Sequence, residues 1–126
     1  MFIEHVNVTV SNLLRSIDFY RGLFGWQVRW QGTTTGGKPA AHVGDDRCYL
    51  ALFEAAGPGR HGIDYETVGF NHFGVVVDDL EVMKERLGEL GAKYGDEQDY
   101  EPGRRLYFVD PDGIEVELVQ YEPALA

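Results

Sequence analysis

The most constraining feature of this 126-residue chain is that it contains one pattern twice. IEHVNVTVSNLL, residues 3 to 14, aligns without a gap on FNHFGVVVDDLE, residues 70 to 81. His5 falls on His72, Val8 on Val75, Val10 on Val77 and Leu13 on Leu80. HVGDDRCYLALFE, 42 to 54, then aligns on FVDPDGIEVELVQ, 108 to 120, one residue out of step with the first block. Here Val43 meets Val109, Asp46 meets Asp112, Leu50 meets Val116 and Leu52 meets Leu118. Two blocks in one order and at nearly one spacing indicate duplication. The chain therefore reads as a single domain, 1–126, made of a first module (about 1–56), a Gly- and Pro-containing linker (57–67) and a second module (about 68–122).

Each module has the same grammar. VNVTV alternates with the period of a half-buried strand. In SNLLRSIDFYRGLFG, Leu13, Ile17, Tyr20 and Phe24 recur at helical spacing, with Ser11 or Asn12 to cap the start and Gly25 to close the end. DDLEVMKERLGELG repeats this with Leu80, Met83, Leu87 and Leu90, and with Asp78 and Glu81 at capping-box spacing. Short β-prone runs follow each helix: WQVRWQ, AAHVG and CYLALF, then a weak strand near AKYGDEQ, RRLYFV and IEVELVQ. The turns are TTTGGKP, EPGR and DPDG. The expected fold is α+β, with two βαβββ modules forming a curved, half-barrel mixed sheet.

The faces of the strands decide the chemistry. Val6, Val8 and Val10 form one apolar side that a helix can cover, which turns His5, Asn7 and Thr9 to the other. Phe73, Val75 and Val77 likewise oppose His72, Gly74 and Val76. In the last strand Val116 and Leu118 belong with the helix, so Glu115, Glu117 and Val119 point with the histidines. A carboxylate inside a buried strand costs several kcal/mol unless it is partnered, on the order of known burial penalties. Two packed modules would bring His5 and His72 together, with Glu117 across from His72, and the partner expected for all three is a divalent metal. Two imidazoles and a carboxylate with open positions suit iron(II) first, and manganese, nickel or zinc as well. His42, on the helix side by alternation, and His61, in the linker, are expected at the surface. Glu115 reads as a solvated rim residue, Asp110 and Asp112 as turn formers, and Cys48 as a small buried residue on the helix side.

Composition excludes several classes. Twenty-one acidic against eleven basic residues give a formal charge of −10, which disfavours nucleic acid and anionic membranes. No apolar run reaches the ~18 residues of a membrane span. One cysteine and the absence of a secretory leader pattern point to the cytoplasm.

The duplicated βαβββ pattern, "SIDFYRGLFGWQV" after the first strand, a histidine opening each module and "FVDPDGIEVEL" near the end resemble the vicinal oxygen chelate superfamily over nearly the whole chain. That group includes glyoxalase I, extradiol dioxygenases, methylmalonyl-CoA epimerase, fosfomycin resistance proteins and bleomycin-binding proteins. The resemblance implies His5, His72 and Glu117 as metal ligands. It also implies a small substrate that chelates through vicinal oxygens, and a homodimer. Glyoxalase-type members add a fourth ligand where this chain has Ala51, which argues against lactoylglutathione lyase activity unless water fills that position. A three-ligand set is closer to the dioxygenases and the fosfomycin-modifying enzymes. "LYFVDPDGIEVE" resembles the dioxygenase signature, with Tyr107 as an active-site tyrosine, and no basic cluster for a phosphonate follows Glu117. Tyr107 and Glu117 are thus the expected catalytic groups. Arg105 is the expected anchor for substrate charge, and Asn7, Tyr49 and Phe53 the expected pocket lining. The competing reading is a metal-free, antibiotic-sequestering protein with an acidic aromatic cleft around Trp26, Trp30 and Tyr49.

Overall fold

The structure, a computed structural model, describes residues 1–59, 62–100 and 103–122, and its contacts divide into two compact units, 1–60 and 61–126. In the first, β1 (His5–Val10) leads into α1 (Leu13–Phe24), followed by β2 (Gln27–Thr33), β3 (Pro39–Gly44) and β4 (Tyr49–Glu54). In the second, β5 (Phe73–Val76) and α2 (Leu80–Glu89) precede β6 (Gln98–Tyr100), β7 (Gly103–Val109) and β8 (Glu115–Tyr121). Each unit is a βαβββ module with a four-stranded mixed sheet, in the orders β1-β4-β3-β2 and β5-β8-β7-β6. The first and last strands of each module pair in parallel, and the other pairings are antiparallel. No helix among the described residues is long and apolar enough to cross a membrane.

The helices start where short polar side chains satisfy their first amides. Asn12 caps α1 by accepting from the Arg15 amide at 3.0 Å, and Gly25 ends it at φ 70° with its amide on the Arg21 carbonyl. In α2 the cap is Asp79, which accepts from the Glu81 amide at 2.9 Å; the expected Asp78–Glu81 capping box does not form. Asp79 is the repeat of Asn12. A second device is duplicated too. Glu54, at the end of β4, accepts the Leu13 amide at 2.9 Å, and Gln120, at the end of β8, accepts the Leu80 amide at 2.8 Å. A long acceptor on the last strand thereby ties each helix start to its own sheet, at matching positions in the two halves.

Each helix covers one face of its sheet. Leu13, Ile17, Tyr20 and Leu23 of α1 are buried, as are Val43, Leu50 and Leu52, while Leu80, Met83 and Leu87 of α2 are buried with Leu106, Val116 and Leu118. Fully burying one such leucine contributes roughly 2 kcal/mol, so the helix-covered faces carry most of the stability. The other faces hold the polar residues. Because β8 lies between β5 and β7, its residues are sheltered on both flanks, which accounts for Glu117 being only 7% exposed.

Two expectations are corrected here. The β7–β8 turn is one residue longer than the β3–β4 turn: Val43 pairs with Leu50, whereas it is Phe108, not Val109, that pairs with Val116. The gapless alignment across this hairpin therefore slips by one, and a one-residue slip exchanges the faces of a strand. His42 is consequently not on the helix side. It pairs with Ala51, which pairs with Asn7, and so it stands on the open face at the position Tyr107 holds in the second module. Cys48 precedes β4 and is exposed, its thiol donating to the Ile3 carbonyl at 3.3 Å, because the hairpin turn ends only at Tyr49. The DPDG turn is as expected: buried Asp110 accepts from the Asp112 and Ile114 amides, and Gly113 takes φ 79°. His61 and part of the EPGR turn lie outside the described residues.

Candidate functional site

In the second module the open face gathers a compact polar cluster around Glu117. Its Oε2 accepts from Arg105 Nη1 at 2.9 Å, and its Oε1 lies 2.9 Å from His72 Nε2. His72 stands immediately before β5, beside the strand that carries Glu117. Tyr107 pairs with Glu117 across β7 and β8 and sets its ring edge-on to the imidazole, centroids 5.2 Å apart and planes at 79°. The far side of the imidazole is held as well. Nδ1 is 3.1 Å from the Tyr65 hydroxyl and 3.4 Å from Glu115 Oε1, and the Tyr65 hydroxyl donates to that same Glu115 oxygen.

The proton order follows from counting donors. A tyrosine has one hydroxyl proton, and here it goes to Glu115, so the Tyr65 oxygen can only accept from His72, which makes Nδ1 the protonated nitrogen. The hydrogen bond to Glu115, followed by desolvation and the carboxylate charge, pushes the Tyr65 pKa up to about 12. Nε2 then presents either a lone pair or a second proton to Glu117. A proton on Nε2 makes this an imidazolium–carboxylate hydrogen bond, whereas a lone pair there is repulsive unless a cation shares both groups. Neighbouring ligands about 2.1 Å from one ion stand about 3 Å apart, which is the spacing of Nε2 and Oε1. A histidine whose other nitrogen donates to a carboxylate-linked oxygen is also the usual support for a metal ligand. The donor set therefore fits a divalent cation. Among the described residues, no three His, Cys, Asp or Glu side chains are gathered so that they could hold a metal ion.

The open face of the first module is built differently. Ala51 takes the place of Glu117, and the face is a stack of rings: His5 lies on Tyr49 with centroids 5.0 Å apart, Tyr49 on His42 at 4.4 Å, and His42 against Trp30 at 4.9 Å. The Arg29 guanidinium sits 4.6 Å over the Tyr49 ring. Glu4 Oε1 lies 2.9 Å from His5 Nδ1 and accepts from the Tyr49 hydroxyl at 3.1 Å, and these bonds hold its carboxyl below the usual range. As in the second module, a carboxylate engages Nδ1 of the strand-opening histidine. Desolvation, then the nearby His5 and Arg29 charges, lowers the His42 pKa.

The structure thus brings His72, Glu117, Arg105 and Tyr107 together, with Arg105 occupied first by Glu117. In the first module it groups His5 with Tyr49. Asn7 donates to the Ala51 carbonyl at 2.8 Å, a tie between β1 and β4, and Phe53 lies on the open face. Sequence reasoning missed Tyr65, which arrives from the linker with no periodicity to mark it, and it gave Glu115 no function. Glu115 was nonetheless on the histidine face by alternation. Its position two residues from Glu117 was the available signal.

Residues 2–118 match the sequence model of the Glyoxalase/Bleomycin resistance protein/Dioxygenase superfamily. The chain belongs to that superfamily. Among curated members it is similar to metallothiol transferase FosB of Staphylococcus epidermidis, 29% identical over 122 residues, covering 92% of this chain and 81% of the relative. Among solved superfamily structures it resembles a glyoxylase/bleomycin resistance protein/dioxygenase domain from Frankia sp. EAN1pec (TM-score 0.81, 26% identity, 96% and 98% of the two chains covered). It shares the fold of the fosfomycin resistance protein FosX from Listeria monocytogenes. A glutamine-for-glutamate mutant of that protein was solved with Mn(II) and 1S,2S-dihydroxypropylphosphonic acid (TM-score 0.73, 20% identity, 94% and 90% covered). One of these relatives is thus named a metallothiol transferase, and another holds Mn(II) in its structure.

Proposed function

We propose that this protein is a divalent-metal enzyme in which His5, His72 and Glu117 hold the ion and a small substrate offers two adjacent oxygens to the remaining positions. The observation that carries the proposal is the placement of His72, flanked on its Nδ1 side by Tyr65 and Glu115 and with Nε2 2.9 Å from Glu117 Oε1, the spacing of two ligands of one ion. When bound, the ion supplies Lewis acidity that stabilises negative charge developing on a substrate oxygen. Tyr65 and Glu115 hold the His72 ring. Arg105 neutralises Glu117 and directs its Oε1 toward His72, and is also the anchor for substrate charge. Tyr107 is the proton donor or orienting group. Glu117 is the base when it is not engaged as a ligand. Asn7, Tyr49 and Phe53 line the substrate side of the first module. Iron(II) and manganese(II) are the favoured ions, with nickel and zinc as alternatives, and the assembly is a homodimer.

The reaction we favour is redox-neutral opening of a small anionic epoxide by a thiol or water, in which a carbon–sulfur or carbon–oxygen bond forms as the epoxide carbon–oxygen bond breaks and the released oxygen takes up the nucleophile's proton, supported by the similarity to a metallothiol transferase. Ring cleavage by a dioxygenase is the second reading, supported by Tyr107 against the imidazole of a His-His-Glu set. Metal analysis after purification without chelators tests the common part: the parent should carry close to one ion per chain, and His5→Ala and His72→Ala should both lose it. Metal-free parent protein that also fails to bind added Mn2+, Fe2+, Ni2+ or Zn2+ refutes the reading. Thiol loss with fosfomycin, against oxygen uptake with catechol, then separates the two reactions.

A further inference from the structure

We propose that Glu4 and Tyr49 are positioning residues for His5, holding its Nδ1 so that Nε2 is the nitrogen left for a ligand, as Tyr65 and Glu115 do for His72. In the first module one carboxylate oxygen, Glu4 Oε1, meets His5 Nδ1 at 2.9 Å and accepts from the Tyr49 hydroxyl at 3.1 Å. In the second, Glu115 Oε1 accepts from the Tyr65 hydroxyl and lies 3.4 Å from His72 Nδ1. Each of the two histidines thus has a tyrosine and a carboxylate behind the same ring nitrogen. The two arrangements are not copies of one another. Tyr49 opens β4 and pairs with His5, whereas the residue that opens β8 beside His72 is the carboxylate Glu115. Glu4 immediately precedes His5, whereas the residue before His72 is Asn71, whose buried Oδ1 accepts no hydrogen bond among the described residues. The tyrosine of the second module comes from the linker instead. Positions are what a duplication repeats, yet here different positions engage the same nitrogen, so the contact follows the histidine and not the repeat.

The His5 and Glu4 side chains are 45% and 60% exposed, and an isolated surface pair of that kind contributes little. This pair is not isolated. The Tyr49 ring is stacked on His5 with centroids 5.0 Å apart and planes at 20°, packs against His42 at 4.4 Å and has the Arg29 guanidinium 4.6 Å over it. Its hydroxyl is therefore fixed in place, and the Glu4 carboxylate cannot swing away from Nδ1 without losing the bond it accepts from Tyr49. A carboxylate accepts and does not donate, so a neutral His5 carries its proton on Nδ1 and its lone pair on Nε2. That is the tautomer a cation requires, and removing such support from a histidine ligand typically weakens metal binding about 10- to 100-fold. The effect on metal binding rests on the proposed reading of His5 as a ligand, whereas the orientation of the ring does not.

Two measurements separate the positioning role from the metal. In chelator-treated protein with 15N-labelled histidines, at an alkaline pH where an ordinary imidazole is neutral, long-range 1H–15N spectra read which ring nitrogen carries the proton. In the parent, His5 should carry it on Nδ1. Glu4→Ala should shift it toward Nε2, and Glu4→Gln, which keeps an acceptor oxygen, should restore the parent pattern. Tyr49→Phe removes the hydroxyl that fixes Glu4 and should give an intermediate mixture. In titrations with Mn2+, Glu4→Ala should weaken binding about tenfold while Glu4→Gln stays close to the parent. A contact that only stabilised the fold would leave the tautomer unmoved. An Nδ1-protonated His5 that survives Glu4→Ala, a glutamine variant as disturbed as the alanine one, or parent-like Mn2+ affinity in Glu4→Ala would overturn the proposal. The expected tautomers in a parent protein that binds no Mn2+ would uphold the positioning role and refute the metal reading instead.

Discussion

Replacing Glu117 by glutamine separates what the carboxylate does for the fold from what it does for a cation. The side chain is buried and joins Arg105 and His72 at 2.9 Å each, while the Arg105 side chain is 15% exposed. Truncating a buried ion pair costs about 3 to 5 kcal/mol, because a charge is left without its counter-ion. Glutamine retains the shape and one acceptor oxygen, so the expected loss is nearer about 2 to 3 kcal/mol, on the scale of charge-assisted hydrogen bonds. For a chain of this size that corresponds to a fall in melting temperature of about 10 °C. The parent, given Mn2+ at a hundredfold excess over its dissociation constant, should gain about 2.7 kcal/mol and rise by a similar interval. The variant should gain nothing. Calorimetry of both proteins with and without Mn2+ makes the comparison. If Mn2+ stabilises Glu117→Gln as much as the parent, the carboxylate is not a ligand and the proposed site is wrong.

Three further outcomes follow from the same geometry. Glu115→Ala removes the acceptor behind Tyr65 and loosens the His72 ring, so Mn2+ affinity measured by calorimetry should fall about 10- to 100-fold with the fold retained; unchanged affinity would show that the ring needs no such support. The lowered His42 pKa means that the unfolded chain takes up the proton first as pH falls below the ordinary value of 6.5. Stability should therefore decline as pH falls from that value to the folded pKa and level off below it, and denaturant midpoints of His42→Gln should show a shallower decline than the parent. Gly44→Ala would place a methyl 2.1 Å from the Cys48 carbonyl oxygen and 2.5 Å from the Tyr49 Cα, so the β3–β4 hairpin should be displaced and the protein destabilised by more than about 3 kcal/mol; a near-neutral denaturation midpoint would refute that packing.

What could be read from the amino acids alone was whatever covalent geometry repeats within one element. Alternation along VNVTV and IEVELVQ put His5, Asn7, Glu115 and Glu117 on the faces where they are found, because successive side chains of a strand must point to opposite sides. Helical spacing located α1 and α2, and the duplication gave the βαβββ order of both modules. Tertiary structure decided everything that depends on crossing a turn or on the reach of a loop. One extra residue in the β7–β8 turn reversed the face expected for His42, since register between strands is set by turn length and not by the strands themselves. Tyr65 became the partner of His72 and Glu115, and Arg105 the partner of Glu117 across the β7–β8 hairpin, because the path of a loop and the register of a hairpin set these meetings, and no periodicity along the sequence encodes them.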